Sequence, residues 1–215
     1  MRFKYNLLHF DKLQRQSVDG KRFYQLPSGK LVKSVTTIIG EKTDKTFLVE
    51  WEKRVGKDNA DKIRLEATRK GTAIHGLLEQ YCRGEDPVVM PLHQLQFNKI
   101  KNVLNQNVGT IYGIESFLYS EKYNTAGQTD LICEFAGSMC IVDFKNTKKK
   151  KHEQYIQNYF VQATVYSLMF EHLHSIKCPK ICVILAQDDH FTEPQVFFKD
   201  RDQYVDKVNQ IFDTI

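Results

Sequence analysis

Two apolar runs of the chain come as a pair. Residues 131–135 and 139–144 are almost continuously hydrophobic, and Ala136 and Gly137 separate them. Two such runs joined by a short turn that contains glycine predict a β-hairpin. Because neither run alternates with polar residues, we expect both strands to lie in the middle of a sheet that is covered on its two faces.

Elsewhere, apolar residues recur at spacings of three and four, the pattern of helices with one buried face. We predict five helices, over residues 46–55, 58–83, 90–106, 153–173 and 201–215. The second of these could be interrupted at Gly71, since glycine weakens a helix. In the first, the stripe formed by Phe47, Leu48, Trp51 and Val55 predicts that Trp51 is a core residue.

The remaining predicted elements are short. Residues 16–32 read as two small β-ribbons with tight turns at Asp19-Gly20 and around Pro27, and residues 1–15 show no firm period. Ser34 can cap a helical turn that begins at Val35, because its hydroxyl can bond a free amide. Further strands are predicted over residues 111–120, 181–186 and 195–198.

Composition narrows the class of protein. A length of 215 residues is most simply one domain with a full core. The net charge of +5 permits a polyanionic partner without requiring one. No apolar run approaches the roughly 20 residues that cross a membrane, and the N-terminus has no secretory apolar stretch. Five cysteines, an odd number, are expected to be reduced core thiols.

The predicted hairpin brings two acids together. A turn centred between residues 136 and 137 sets Asp130 opposite Asp143, with their Cβ atoms about 5 Å apart. Two carboxylates at this distance repel by roughly 3 kcal/mol, so a divalent cation between them is favoured. Lys145 projects from the same face as Asp143. Oxygen ligands suit Mg²⁺ or Mn²⁺, and a lysine beside a hydrated metal suits phosphodiester hydrolysis. An exposed salt bridge among the same three residues is the simpler alternative.

Three other features add to this chemistry. His75 lies four residues after Gly71, whose missing side chain would allow a close approach to the helix. Glu115 is an acid between the apolar residues Ile114 and Phe117, which is costly unless the carboxylate is paired. The four lysines at 148–151 repel one another, so we expect a mobile loop that could guide a phosphate backbone.

The order and spacing of these motifs resemble the PD-(D/E)XK nuclease superfamily. Asp130 followed by Ile141-Val-Asp143-Phe-Lys145 is similar to its signature. The motifs Gly71-Thr-Ala-Ile-His75, Gly127-Gln-Thr-Asp130 and Gln162-Ala-Thr-Val-Tyr166 resemble the RecB-type branch. Within that branch, Ser34-Val-Thr-Thr-Ile-Ile is similar to a run in the exonucleases of mitochondrial genome maintenance and their bacteriophage relatives.

The resemblance implies an α/β fold with a restriction-endonuclease-like αβββαβ core, a mixed sheet flanked by helices. Residues 1–70 would form a substrate-guiding N-terminal part and residues 71–215 the nuclease core. It also implies a Mg²⁺- or Mn²⁺-dependent DNA exonuclease of replication, recombination or repair that acts on single-stranded ends. A bacterial or phage-infected cytoplasm is the expected location, with the mitochondrial matrix as the alternative.

The resemblance also implies roles for residues. The metal ligands would be His75, Asp130, Asp143 and the Phe144 carbonyl, with Glu115 in support, and Lys145 would position or activate the attacking water. DNA contacts would come from Thr36, Trp51, Thr147, Lys148, Lys149, Gln162 and Tyr166. Bases would stack on aromatics among Phe47, Trp51, Tyr81 and Phe97.

Several alternatives stay open. A structure-selective endonuclease, a junction resolvase or a catalytically silent nucleic-acid clamp could carry the same motifs. Some RecB-type relatives hold an iron–sulfur cluster, but only Cys178 and Cys182 lie near the C-terminus here, so no cluster is expected. Those two cysteines with His172 or His174 could hold zinc, although a second cysteine pair is missing.

Overall fold

The computed structural model describes residues 3–212. Its strands are β1 (Lys4–Tyr5), β2 (Gln14–Val18), β3 (Lys21–Gln25), β4 (Leu31–Ser34), β5 (Val108–Ser120), β6 (Thr125–Phe135), β7 (Ser138–Thr147), β8 (Lys180–Gln187) and β9 (Gln195–Asp200). Its helices are α1 (Val35–Lys42), α2 (Thr46–Val55), α3 (Lys57–Cys82), α4 (Pro91–Asn107), α5 (Gln157–His174) and α6 (Val205–Phe212). Single 3₁₀ turns at Glu153–Tyr155 and Arg201–Tyr204 precede α5 and α6.

The predicted hairpin is confirmed as β6 and β7. Ala136 and Gly137 have φ values of 48° and 79°, the two positive angles of a tight turn that matches the twist of its strands. The register pairs Leu131 with Val142. The same register continued by one residue sets Asp130 opposite Asp143.

Strand β6 is flanked along both edges, and one edge has an opening. β5 runs antiparallel along one edge. On the other edge, β4 pairs with Thr125 and Ala126, and β7 pairs from Leu131 onward. Among residues 3–212, no strand pairs with residues 127–130 on that second edge. The candidate site lies at this opening between β4 and β7.

The rest of the sheet extends outward from this opening. Within the described part of the chain, nine strands form one mixed sheet, in which β4 continues through β3 to β2 and β7 continues through β8 to β9. β7 and β8 are parallel, and α5 provides the crossover that a parallel connection needs. Parallel and antiparallel pairs therefore occur in the same sheet, as predicted.

Helices cover both faces of the sheet. Ile132 and Ile141 pack on one face with α1, α5 and α6. Their neighbours Leu131 and Val142 pack on the other face with α3 and α4. This alternation follows from the period of two along a strand, and it explains why both runs are continuously apolar.

The prediction for α2 is right in its bounds and wrong in its buried face. Phe47 is 70% exposed, Leu48 is 49% exposed, and no residue of α2 is fully buried. Trp51 is partly exposed, with the Arg64 guanidinium 5.5 Å from its ring centre. An amphipathic stripe shows that a helix could bury one face, but it does not show that another element covers that face. Here α2 packs against α3, whose first half is also largely exposed.

Three further expectations are corrected. α3 runs without a break through Gly71, and a Cβ there would meet nothing nearer than 4.0 Å, so no close approach exists at that glycine. Tyr81 and Phe97 are 2% and 3% exposed, so they are core residues and not platforms for bases. The predicted helix 153–173 breaks at Ile156. The end of the predicted helix 201–215, residues 213–215, lies outside the described residues.

All five cysteines are buried, as expected of core thiols. Burial raises the pKa of the Cys178 thiol to about 12, so this side chain is a neutral packing group. Within residues 3–212, no helix is both long and apolar enough to cross a membrane.

Candidate metal centre

Asp130 stands at the opening in the sheet, and both of its carboxylate oxygens have partners. Oδ1 lies 3.2 Å from Nδ1 of His75, which α3 brings to this point. Oδ2 accepts a 2.7 Å hydrogen bond from the backbone amide of Phe144 in β7. Asp130 therefore connects β6 to α3 and to β7 at the point where one edge of β6 is unpaired.

Asp143 and Lys145 share one face of β7 and contact each other. Asp143 is 3% exposed. Its Oδ1 accepts hydrogen bonds from Nζ of Lys145 at 2.6 Å and from Nε2 of Gln162 at 3.1 Å. Its Oδ2 lies 2.5 Å from the same Nζ but receives no aligned hydrogen bond. Nζ also lies 5.2 Å from the ring centre of Tyr159.

Glu115 reaches the same place through an unusual backbone. Its φ is 48°, in the left-handed region that glutamate rarely adopts. The register pairs Ile114 with Leu131 and Ser116 with Thr129, so Glu115 falls opposite Asp130. The side-chain amide of Gln128 donates a 3.0 Å hydrogen bond from Nε2 to the backbone carbonyl of Glu115. Strain of this kind persists where surrounding contacts enforce it and is concentrated at functional sites.

Ligand atoms of His75, Glu115 and Asp130 all lie within 4.8 Å of one another. This trio is the group of potential metal ligands found within residues 3–212. One imidazole with carboxylates is a donor set for a hard or borderline divalent cation. Both oxygens of the Asp143 carboxylate on β7 already lie against the Lys145 ammonium, so the fit of a metal rests on the trio. The residues present therefore fit a metal ion.

Two effects decide the protonation states of the site: burial, which disfavours the charged form of each group, and the charges of the neighbouring groups. Burial lowers the pKa of His75, but the Asp130 carboxylate outweighs it and raises that pKa to about 9. Burial, and then repulsion from Asp130, raise the pKa of Glu115 to about 7. Burial opposes the charge of Lys145, yet Asp143 and Asp130 raise its pKa above the ordinary value. Without a metal, the site thus holds an imidazolium and an ammonium beside its acids.

The residues predicted to contact DNA fall into two groups. Lys148 and Lys149 are exposed in the loop after β7, where Thr147 donates a 2.8 Å hydrogen bond to the Lys149 carbonyl. Thr36 is exposed at the start of α1, with its hydroxyl 3.1 Å from that of Ser34. Trp51 lies on α2. The DNA contacts predicted for these residues stay predictions.

Gln162 and Tyr166 of α5 both lie beside the site, and the DNA contact predicted for Gln162 stays a prediction. Gln162 points its amide at Asp143, so it orients a carboxylate. Tyr166 is 2% exposed and enclosed by the protein, which contradicts a DNA contact by its ring. A Cβ on Gly127 would lie 2.5 Å from the Tyr166 hydroxyl and 2.6 Å from its Cε1 atom. The two residues are in tight contact beside the opening.

Sequence reasoning missed two contributions to the site. Tyr159 lies three residues before Gln162 on α5 and so shares its face, a spacing from which its place beside the site could have been found. Gly127 was read as part of a motif without a steric role. A glycine inside a strand is itself a sign of close approach by another group.

No protein-family profile matches the chain, and no curated protein matches it. Among solved structures, it is similar to the crystal structure of a "Putative exonuclease" from Eubacterium rectale, with 12% sequence identity and a TM-score of 0.42. The match covers 67% of this chain and 64% of that one, so it spans less than two thirds of that protein's length. A likeness of this size does not establish a shared fold, and the function proposed below rests on the geometry of the site.

Proposed function

We propose that this protein is a Mg²⁺- or Mn²⁺-dependent DNA exonuclease of the PD-(D/E)XK type, RecB branch, with an αβββαβ core. The observation that carries the proposal is the cluster of His75, Glu115 and Asp130 at the opening in the sheet, with the Asp143–Lys145 pair on the adjacent strand β7. Burying several charges together is expensive, and cores do not need it for stability. Groups with perturbed pKa values that share a cleft are candidates for chemistry.

His75, Asp130 and Asp143 would hold the cation, with Glu115 and the Phe144 carbonyl completing the set. When bound, Mg²⁺ or Mn²⁺ supplies Lewis-acid polarisation of a phosphoryl oxygen and lowers the pKa of a coordinated water. The backbone amide of Phe144 fixes Asp130, and Gln162 fixes Asp143. Ligands held in this way need little reorganisation when the substrate arrives.

Lys145 would act as a cation and not as a base. Its raised pKa keeps the amine protonated at neutral pH. An ammonium beside Asp143 can donate a hydrogen bond to the oxygen of a water molecule. It can also stabilise the negative charge that develops on a phosphoryl group. The Tyr159 ring lies 5.2 Å from Nζ and favours the charged form through its π face.

A single strand of DNA is the proposed substrate. The basic loop at residues 148–151 directly follows the strand that carries Asp143 and Lys145, so it can contact phosphates next to the scissile bond. Lys148, Lys149 and Thr147 would supply contacts there, and Thr36 would do so across the opening. Hydrolysis from DNA ends would serve replication, recombination or repair.

The test is cleavage of end-labelled single-stranded DNA and of a covalently closed single-stranded circle, with Mg²⁺, Mn²⁺ or EDTA. We expect the linear strand to be shortened with either metal, the circle to stay intact, and EDTA to stop the reaction. Lys145→Ala should abolish cleavage and spare DNA binding. Lys177→Ala, an exposed lysine between α5 and β8, is the matched control and should cut normally.

Other outcomes of the same gel separate the alternatives. A cut circle would indicate a structure-selective endonuclease. DNA binding with no cleavage under either metal would indicate a silent nucleic-acid clamp. Cleavage by Lys145→Ala at the wild-type rate would contradict the role given to that lysine.

A further inference from the structure

A polar cavity lies between the β2–β3 hairpin and the start of α1. It has a volume of about 260 Å³ and is lined by Arg15, Ser17, Gly20, Arg22, Thr36 and Thr37. Its lining therefore combines two guanidinium groups with three hydroxyl groups, and it contains no acid. Of these residues, Thr36 and Thr37 belong to the Ser34-Val-Thr-Thr-Ile-Ile run of the sequence.

The β2–β3 hairpin brings the two arginines together. Ser17 pairs with Arg22, and Arg15 pairs with Tyr24, two residues further along. Residues two apart on a strand share a face, so the side chains of Arg15, Ser17 and Arg22 project from the same side of the hairpin. Diagonal neighbours of this kind have Cβ atoms about 7–8 Å apart, within reach of one shared anion for long side chains.

The N-terminus of α1 closes the cavity. The hydroxyl of Thr37 accepts a 3.3 Å hydrogen bond from the Arg22 amide, and the hydroxyl of Ser34 caps the Thr37 amide at 3.0 Å. These bonds fix the first turn of α1 against β3. Thr36, an exposed residue of this turn, also lines the cavity, and the first turn carries no acidic residue.

Within the part of the chain that the structure describes, no ion pair neutralises the positive charge of this cavity. Among residues 3–212, neither Arg15 nor Arg22 forms an ion pair. The nearby acid Glu41 is already paired with Lys21 at 2.7 Å and with Lys33 at 2.8 Å. Two unpaired guanidiniums beside hydroxyl groups are matched to the bidentate geometry of a phosphate group.

The cavity borders the metal centre. β3 pairs with β4, and β4 pairs with Thr125 and Ala126, which immediately precede the unpaired residues 127–130. The charge of Arg22 acts on the Tyr166 hydroxyl, as do the charges of Asp143 and Asp130.

We propose that Arg15, Arg22 and Thr36 form a phosphate-binding subsite that holds the substrate strand on the β4 side of the opening. The inference rests on the proposed function and adds to it a second anchor, distinct from the metal ligands and from the basic loop at residues 148–151. The bound group is a phosphate of the strand, either a terminal monophosphate or an internal phosphodiester. With lysines on one side and arginines on the other, the strand would be held across the metal centre.

The test is the binding of short fluorescent oligothymidylates in EDTA, so that no cleavage occurs. Three probes are used: one with a 5′-phosphate, one with a 3′-phosphate, and one with neither. Arg15→Gln/Arg22→Gln should weaken binding about tenfold or more and reduce the slope of log K against log salt by about 0.7, the value for one lost phosphate contact on a single strand. Both arginines are exposed, so the thermal midpoint should not move.

Lys30→Gln/Lys177→Gln is the matched control, because it removes two exposed positive charges away from the cavity. A loss confined to one phosphorylated probe would identify a terminal phosphate, and an equal loss on all probes would identify an internal phosphodiester. In cleavage assays, the arginine variant should raise KM and leave kcat within about twofold. Binding equal to that of the control would overturn the subsite and leave the proposed function standing, whereas a wild-type protein that cuts no DNA would overturn the proposed function itself.

Discussion

Nδ1 of His75 lies 3.2 Å from Oδ1 of Asp130, and this ion pair joins α3 to β6 across the opening in the sheet. The pair keeps both side chains in place before any cation arrives. It also makes the proton on His75 a competitor of a metal, since an imidazole must be neutral at the nitrogen that binds a metal. The protonation of His75 should therefore affect the free energy of unfolding of the metal-free protein.

In EDTA, the free energy of unfolding should fall as pH rises from about 4.5 to about 9. The pKa of Glu115 is raised from 4.5 to about 7, so its ionisation costs stability between those values. The pKa of His75 is raised from 6.5 to about 9, so its stabilising charge is complete below 6.5 and lost as pH rises through 9. Urea denaturation at a series of pH values measures both.

Two variants divide this pH range. Glu115→Gln should flatten the lower part of the profile, and His75→Asn should flatten the upper part. His172→Asn, at an exposed position on α5, should leave the profile unchanged. Profiles that have the same slope in all four proteins would contradict the charges assigned to the site.

Gln162→Leu should reduce Mn²⁺-supported cleavage by about 10- to 100-fold, the usual loss when a hydrogen-bonding partner of a metal ligand is removed. The amide of Gln162 is one of two donors to Oδ1 of Asp143, and leucine cannot replace it. Initial rates on labelled single-stranded DNA at increasing Mn²⁺ give the measurement. Gln154→Leu, exposed in the preceding turn, is the control. Equal rates for the two variants would rule out a positioning role for Gln162.

Gly127→Ala should destabilise the fold by about 1–3 kcal/mol, the range for an extra methyl group in a packed region. The new Cβ would lie 2.5 Å from the Tyr166 hydroxyl, and Tyr166→Phe should not rescue it because the ring atom Cε1 is only 2.6 Å away. Gly40→Ala in α1 meets nothing within 4 Å and should be neutral or stabilising. Thermal unfolding of Gly127→Ala, of Gly127→Ala/Tyr166→Phe and of Gly40→Ala, each compared with the wild type, measures these effects. A Gly127→Ala protein as stable as the wild type would show that this contact is not tight.

The parts of the fold that were predictable are those with a local cause. The β6–β7 hairpin follows from two apolar runs around Ala136 and Gly137, and the register then fixes where Asp130 and Asp143 stand. The start of α1 follows from the Ser34 cap. Each of these depends on residues that are close in the sequence.

The features that could not be predicted depend on contacts between distant segments. Nothing in the sequence of α2 reveals that Phe47 and Leu48 face solvent, because burial requires a partner layer that only the complete fold supplies or omits. The particular carboxylate that the Gln162 side chain meets, that of Asp143, likewise depends on how α5 packs against β7. The left-handed backbone of Glu115 is likewise imposed by its surroundings.

The most direct test of the metal centre is a crystal structure of the protein soaked in Mn²⁺, with an anomalous difference map. The proposed function predicts a peak at roughly 2.0–2.6 Å from ligand atoms of His75, Asp130 and Asp143, which is lost in Asp130→Asn. A map without a peak among these side chains, or with its main peak elsewhere on the protein, would contradict the metal centre and with it the proposed hydrolase.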